Sequence, residues 1–227
     1  MPDPTAPPLA ILHLDDTLVV VSKPSGMLVH RATSDPDAPV LLQTLKAQLG
    51  RWLYPVQRLD RATSGTIAFA FESATAAALQ QAMTSPTCRK DYLALVRGRP
   101  EDHFESRAAL PDERGIPRAA HSSFRTLRRW RGAALVRARI FTGRANQIRR
   151  HLADLGHGVL GDTTFGRGRL NQVFRDRFGL PRLFLHATRI CFEHPTTRQR
   201  LRVRDRLPPD LRAVLVRLAN RERPVSE

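Results

Sequence analysis

At 227 residues, 41% apolar and 26% charged, the chain has a globular composition and a length at which one domain, or two lobes of one fold, is the default. No run approaches the roughly 20 apolar residues that a bilayer span needs, and the Pro-rich start lacks the basic and apolar regions of an export signal, so the sequence argues against membrane insertion and for the cytoplasm. The formal charge of +16 and a pI near 11.5 disfavour basic partners and favour phosphate backbones, so nucleic acid is the expected partner.

In chain order, Leu18-Val-Val-Val-Ser22 is β-branched and short, and it stops at Lys23-Pro-Ser-Gly26, which reads as a strand running into a loop. Leu41, Leu42, Leu45 and Leu49 recur at helical spacing before Gly50, a C-terminal cap signal. A loop then carries Arg58 to Gly65, followed by a buried strand from Thr66 to Phe71 and an Ala-rich helix from Thr75 to Met83 ahead of Pro86. Alternation around Tyr92 to Val96 and along Leu135 to Ile140 predicts two sheet strands. Between them, residues 100–131 mix turn formers with short strand candidates such as His121 to Leu127. Ile148, Leu152 and Leu155 form an apolar helical stripe that ends at Gly156. A strand is expected near Leu183 to Phe192, and a closing helix from Asp210 to Leu218 behind Pro208-Pro209. Hairpin-like neighbours outnumber βαβ units, so the fold class is α+β, an antiparallel-rich mixed sheet flanked by helices. One domain over 1–227 is expected, with 1–8 and 221–227 frayed and no small RNA-binding domain in front.

Cys88 and Cys191 stand apart from any CxxC or His/Cys cluster, so they read as small buried apolar residues and no metal is indicated. Of the 37 basic residues, Lys23, Lys46 and Lys90 are the only lysines, which leaves 37 − 3 = 34 arginines. Most of that ratio fits codon bias in a GC-rich genome; the excess of positive charge does not follow from it. The segment Arg58-Leu-Asp60-Arg61-Ala-Thr-Ser-Gly65 sets one carboxylate between two guanidinium groups in a turn-rich stretch. On spacing alone that is most often a surface ion pair beside a turn.

Its context changes the reading. Gln57 to Gly65 resembles the signature of the RluA-type pseudouridine synthases, His-Arg-Leu-Asp-Arg, one variable residue, then Thr-Ser-Gly. Further blocks follow in order: Lys23 to His30, Lys90-Asp-Tyr92 with Val96-Arg-Gly98, Thr142 to His151, Gly161-Asp162 and Leu185-His-Ala187. The resemblance implies an enzyme without cofactor that cleaves the N-glycosidic bond of a uridine, rotates the detached base and rejoins it through carbon. It gives Asp60 the role of nucleophile, Tyr92 that of the ring packed on the base, and Arg149 that of the guanidinium paired with the aspartate. Arg58 matches the side chain that fills the gap left by the flipped nucleotide.

The chemistry suits these residue types. A buried carboxylate tends to hold its proton, and a neighbouring guanidinium reverses the tendency, lowering the pKa by about 1 to 3 units. Stacking a flipped base on an aromatic ring returns about 1 to 3 kcal/mol. Arg144, Gln147, Arg149, Arg150 and His151 crowd the start of a predicted helix, where the helix dipole disfavours cations, so an anion, either Asp60 or RNA phosphate, is expected there. Lys23, His30, Arg58, Arg61, Arg144, Gln147 and Arg150 are the expected RNA contacts. His30, His151, His186 and His194 read as hydrogen-bonded structural residues in any catalytic sense.

Two departures stand out: Gln57 and Asn146 occupy positions where the family signature has His. Each can still donate and accept hydrogen bonds, but neither can titrate as an imidazole. The stretch from Gly161-Asp162 through Arg169-Leu-Asn171 to His186 is similar to an insertion in the branch of the family that modifies a tRNA stem uridine at position 65. Arg167 to Arg182 reads either as a phosphate-gripping arm or as a solvated amphipathic helix. A monomer acting on tRNA is therefore expected. A synthase for ribosomal RNA and a silent RNA-binding protein of the same fold are the alternatives; a two-metal nuclease lacks its clustered carboxylates.

Overall fold

The computed structural model describes residues 7–31 and 38–221, so the expected fraying at 1–8 and 221–227 lies for the most part outside the described residues. In chain order the elements are β1 (Ile11–Leu14), β2 (Leu18–Lys23), α1 (Leu41–Leu49), β3 (Tyr54–Pro55), β4 (Ser64–Ala70), α2 (Ser73–Thr84), β5 (Arg89–Arg97), β6 (His103–Ser106), β7 (Leu110–Pro111), β8 (Pro117–Arg118), β9 (Ser122–Trp130), β10 (Ala133–Ile140), α3 (Gln147–Asp154), α4 (Gly168–Phe178), β11 (Leu185–Glu193), β12 (Arg200–Arg204) and α5 (Pro209–Arg221). This is an α+β chain. It divides into two compact units, Met1–Lys90 with Ala187–Asp205 and Asp91–His186 with Arg206–Glu227.

In the first unit the strands run in the order β1-β2-β4-β11, with β3 added to β4 and β12 to β11. β2 pairs antiparallel with β4, Val19 opposite Phe69 and Val21 opposite Ile67. Those four side chains join Leu41, Leu45 and Leu53 in one core, whereas Leu18, Val20 and Ala68 enter a second core with Leu79, Met83, Ile190, Phe192 and Val203. Burial on both faces explains why β2 and β4 read as continuous apolar runs rather than as alternating ones. α1 ends where the main-chain N–H of Gly50 bonds to Lys46 O. Cys88 and Cys191 are buried free thiols. Gly65, at the head of β4, has φ +120°, and a Cβ there would lie 2.3 Å from Ala187 O. Only the bare backbone lets β11 approach so closely.

In the second unit the order is β5-β10-β9-β6. β9 and β10 form a long antiparallel hairpin with one register shift at Leu135/Val136, and β7 and β8 form a small separate hairpin. Residues 100–131, mixed in sequence, thus resolve into β6 to β9. Leu95, Trp130, Leu160, Phe174, Phe184, Leu211, Val214 and Leu218 share the core of this unit. Leu211, Val214 and Leu218 come from one face of α5, as their spacing predicts. The segment before Gly161 runs along β5, with Arg97 N bonded to Gly158 O at 3.1 Å and Leu160 N to Leu95 O at 2.8 Å. That pairing fixes where Asp162 begins.

Candidate active site

In the first unit the Asp60 loop is tied to the loop after β2. Lys23 is fully buried, and its ammonium donates to Pro24 O at 2.8 Å, Met27 O at 2.8 Å and Arg61 O at 3.0 Å. An ammonium has three donors, so these carbonyls engage each of them. Lys23, expected as an RNA contact, thus holds two loops together from inside. The stapling continues with Gly26 N to Arg61 O at 2.8 Å, Arg61 Nε to Gly26 O at 2.9 Å and Ser25 Oγ to Ala62 O at 2.7 Å. Asp60 is half-buried, and its carbonyl accepts Thr63 N at 3.0 Å. Arg58, Arg61 and His30 are exposed. The side-chain nitrogen of Gln57 is enclosed and has no hydrogen-bond partner among the described residues.

In the second unit Tyr92 sits on β5, 7% exposed. Its neighbour Asp91 accepts Arg139 Nε at 2.9 Å. Arg149, on the first turn of α3, is buried and forms a fork-to-fork pair with Asp162: Nε to Oδ2 at 2.7 Å and Nη2 to Oδ1 at 2.8 Å. Its Nη1 donates to Asn146 Oδ1, so three of the five guanidinium donors are directed by these two residues. The crowding of cations at this helix start is answered inside the unit by Asp162. Burial pushes the Asp162 carboxyl up, but the guanidinium and the main-chain N–H groups of Phe165 and Thr164 outweigh it and hold it below the usual carboxylate range.

The frame around this pair is rigid. Gly161, φ +82°, could not carry a Cβ, which would lie 2.2 Å from Arg182 O. Asn171 of α4 accepts Gly161 N at 2.9 Å and donates to Asp162 O at 2.7 Å. Part of the expected arm is therefore built into the unit, since α4 buries Asn171 and Phe174 while Arg169, Arg175 and Arg177 stay exposed. Asn146 has φ +54°, a left-handed conformation that Asn tolerates better than most residues. It turns the chain into α3 and braces Arg149.

Gln147, also buried, is the hub of the preceding loop. Its Oε1 accepts Thr142 Oγ1 at 2.8 Å and Arg144 N at 2.9 Å. Its Nε2 donates to His121 O and Ser122 Oγ, both at 2.9 Å. His151 is fully buried, between Ser122 Oγ and Ala108 O, both at 3.0 Å. It is the hydrogen-bonded structural histidine that its setting suggested. Arg144 is exposed and Arg150 half-buried, Arg144 bonding Ala119 O through Nε at 3.0 Å and Arg150 bonding Pro111 O through Nη1 at 3.4 Å.

Each unit thus gathers its own part of the expected set: Lys23, His30, Arg58, Asp60 and Arg61 in the first, Tyr92, Arg144, Gln147, Arg149 and Arg150 in the second. Sequence reasoning did not foresee the Asp162 and Asn146 brackets on Arg149. The signal was present only as the Gly161-Asp162 pair, since a separation of 13 positions between Arg149 and Asp162 leaves no periodic trace.

Comparison with known proteins bears on the family of the chain. A model of the RNA pseudouridylate synthase family matches residues 17–154. The chain is 36% identical over 224 residues to tRNA pseudouridine synthase C of Vibrio vulnificus, covering 86% of this chain and 89% of that one. It is 35% identical over 220 residues to ribosomal large subunit pseudouridine synthase C of Pasteurella multocida, covering 90% and 66%. Human RNA pseudouridylate synthase domain containing 4 has the same fold, with a TM-score of 0.76 at 24% identity over 92% of this chain and 93% of its own. Ordered sequence blocks, the α+β architecture and these matches together place the chain in the RNA pseudouridylate synthase family, as an isomerase that converts uridine to pseudouridine.

Proposed function

We propose that the substrate is a tRNA, modified at a stem uridine of the position-65 type, and that Asp60 is the nucleophile. In this reading the Asp60 carboxylate attacks the target nucleotide and the C–N glycosidic bond breaks. The uracil turns, C5 bonds to the sugar carbon as the bond to Asp60 breaks and frees the carboxylate, and the hydrogen on C5 leaves as a proton while N1 takes one up. Tyr92 stacks on the extruded base, Arg149 is the guanidinium paired with the nucleophile, and Arg58 fills the gap in the helix. Arg61, Arg144, Arg150 and His30 meet the RNA backbone, while Lys23 and Gln147 hold the loops that present them. The two units act as lobes of one catalytic domain, working as a cytoplasmic monomer without cofactor or metal.

The observation that carries the catalytic part is the bracketing of Arg149 by Asp162 and Asn146. A guanidinium aimed this firmly is preorganised for an electrostatic task, and reorganisation is what such a site avoids during reaction. The tRNA part is supported by the names of relatives at 33–36% identity and by the α4 segment. Release of tritium from 5-tritiated uridine in tRNA tests the proposal. Wild type should release it, and Asp60→Asn should release none while still binding RNA. Equal release from both, or none from wild type, would defeat it.

The match to a ribosomal large subunit synthase favours one second reading, an rRNA target. Mapping pseudouridine in a deletion strain separates the two, because the loss falls in tRNA under the first and in 23S-type RNA under the second. Activity should survive EDTA; its loss would contradict the metal-free mechanism.

A further inference from the structure

One aromatic pair beside α3 has no part in the scheme above. Phe141 follows the last residue of β10 and precedes Thr142-Gly143-Arg144, and its side chain is 49% exposed. One face of its ring lies on His121, with centroids 4.3 Å apart and planes 13° from parallel. The pair is held by its surroundings. Phe141 N donates to His121 O at 3.1 Å, and His121 N donates to Thr142 Oγ1 at 3.0 Å. His121 Nε2 lies 3.0 Å from Glu105 Oε2. The Gln147 hub, which accepts Arg144 N, also holds His121 O. The same side chain therefore fixes both the ring pair and the first turn of the helix that carries Arg149.

Scattered exposed apolar residues are ordinary and need no explanation. Phe141 differs in that its backing ring, its backbone and Arg144, three residues on, are all fixed, so the exposed ring is a flat, preorganised surface with an exposed cation close to it in the chain. Trp52, though more exposed at 64%, already has the Lys46 ammonium 3.1 Å over its ring. A planar apolar face with an arginine three residues on suits a nucleotide, because every nucleotide joins a base with a π-face to a charged phosphate. In a protein of charge +16, an RNA base is the occupant that charge favours.

We infer that the open face of Phe141 is a stacking subsite for an unstacked base of the RNA substrate, with Arg144 meeting that nucleotide's phosphate. This rests on the proposal that RNA is the substrate. The test compares wild type with Phe141→Ala, Phe141→Leu and Phe141→Trp, measuring tritium release from a tRNA transcript and, separately, the Kd for the same RNA. Loss of one stacked base should raise KM and Kd about 5- to 150-fold in the Ala variant, with kcat at saturating RNA kept within about twofold. Leu, apolar but not planar, should behave like Ala, and Trp should restore wild-type values. An unchanged Kd in the Ala variant, or a Leu variant as tight as wild type, would overturn the inference. So would a change in sedimentation coefficient on Phe141→Ala, which would show that a second copy of the chain covers the ring. If wild type releases no tritium from any RNA yet Phe141→Ala still weakens binding, the synthase reading fails and the subsite stands.

Discussion

Removing Asp162 should cost more stability than any other single carboxylate substitution in the second unit. The Asp162 side chain is 0% exposed and that of Arg149 10%, and the carboxylate also accepts Thr164 N at 2.9 Å and Phe165 N at 3.0 Å. Breaking a buried ion pair from one side costs about 3–5 kcal/mol, because the remaining charge is left uncompensated. In a protein of this size each kcal/mol shifts Tm by about 2–4 °C, so Asp162→Ala should melt about 6–20 °C lower. Asp162→Asn keeps an oxygen for the two main-chain donors but loses the charge and the acceptor of Arg149 Nε, so it should lie between Ala and wild type. Urea unfolding followed by circular dichroism gives both values, and its pH dependence gives a second handle. The Asp162 carboxyl is held below its ordinary pKa in the fold. Its contribution is therefore complete above the unfolded value near 3.9 and is lost as pH falls through the folded one. The stability difference between wild type and Asp162→Asn should be flat at neutral pH and shrink below about pH 4. A variant within about 0.5 kcal/mol of wild type at pH 7 would mean that the pair is not what holds this unit together.

Gly65→Ala should destabilise strongly, since the new Cβ meets Ala187 O, whereas Gly115→Ala, at φ +79° with nothing within 4 Å, should cost only its backbone strain of about 1–3 kcal/mol; equal melting temperatures for the two would refute the close-approach argument. Asp15 accepts Thr17 N, Leu18 N and the Thr17 hydroxyl on one oxygen and meets His13 and His194 on the other. Burial raises its pKa, but the bonds from Thr17, His13 and Leu18 hold it well below the usual range. Asp15→Ala should therefore lose about 1–2 kcal/mol at pH 7 and less below pH 4, as unfolding curves at the two pH values would show. Affinity for tRNA should fall at least about tenfold between about 50 and 200 mM salt as phosphate contacts release counterions; filter binding that ignores salt would contradict a basic RNA-binding surface.

Where a segment buries its side chains locally, its sequence declared it. The run from Leu18 to Ser22, the leucines of α1 and the one-faced pattern of α5 all became the elements their spacing predicts. β12 was silent, because Arg-Leu-Arg-Val-Arg hides only Val203 and half-buries Leu201. The alternation is that of a strand, but two apolar residues make it too short to stand out from the charged sequence around it. β1 was missed for a similar reason, since none of its four residues is buried. Strand order was beyond reach in principle, as nothing in residues 185–193 says that they will lie beside β4. The site divides the same way. Asp60, Tyr92 and Arg149 were named because motif blocks are contiguous. Asp162 reaches Arg149 through space and Asn171 reaches Asp162, and Lys23 looked like a surface cation until two of its three carbonyl partners came from loops 4 and 38 residues away.

The near-absence of lysine in this chain has an engineering consequence. Rewriting its arginines as lysines would preserve the net charge, and on exposed strands such as β12 it would cost little. Position 149 is different. A lysine there offers one point charge where Asp162 presents two oxygens and Asn146 a third, so it could answer only part of the bracket. A charge-preserving rewrite of the whole chain should therefore fail first at one buried guanidinium, and restoring that single codon should recover most of what was lost.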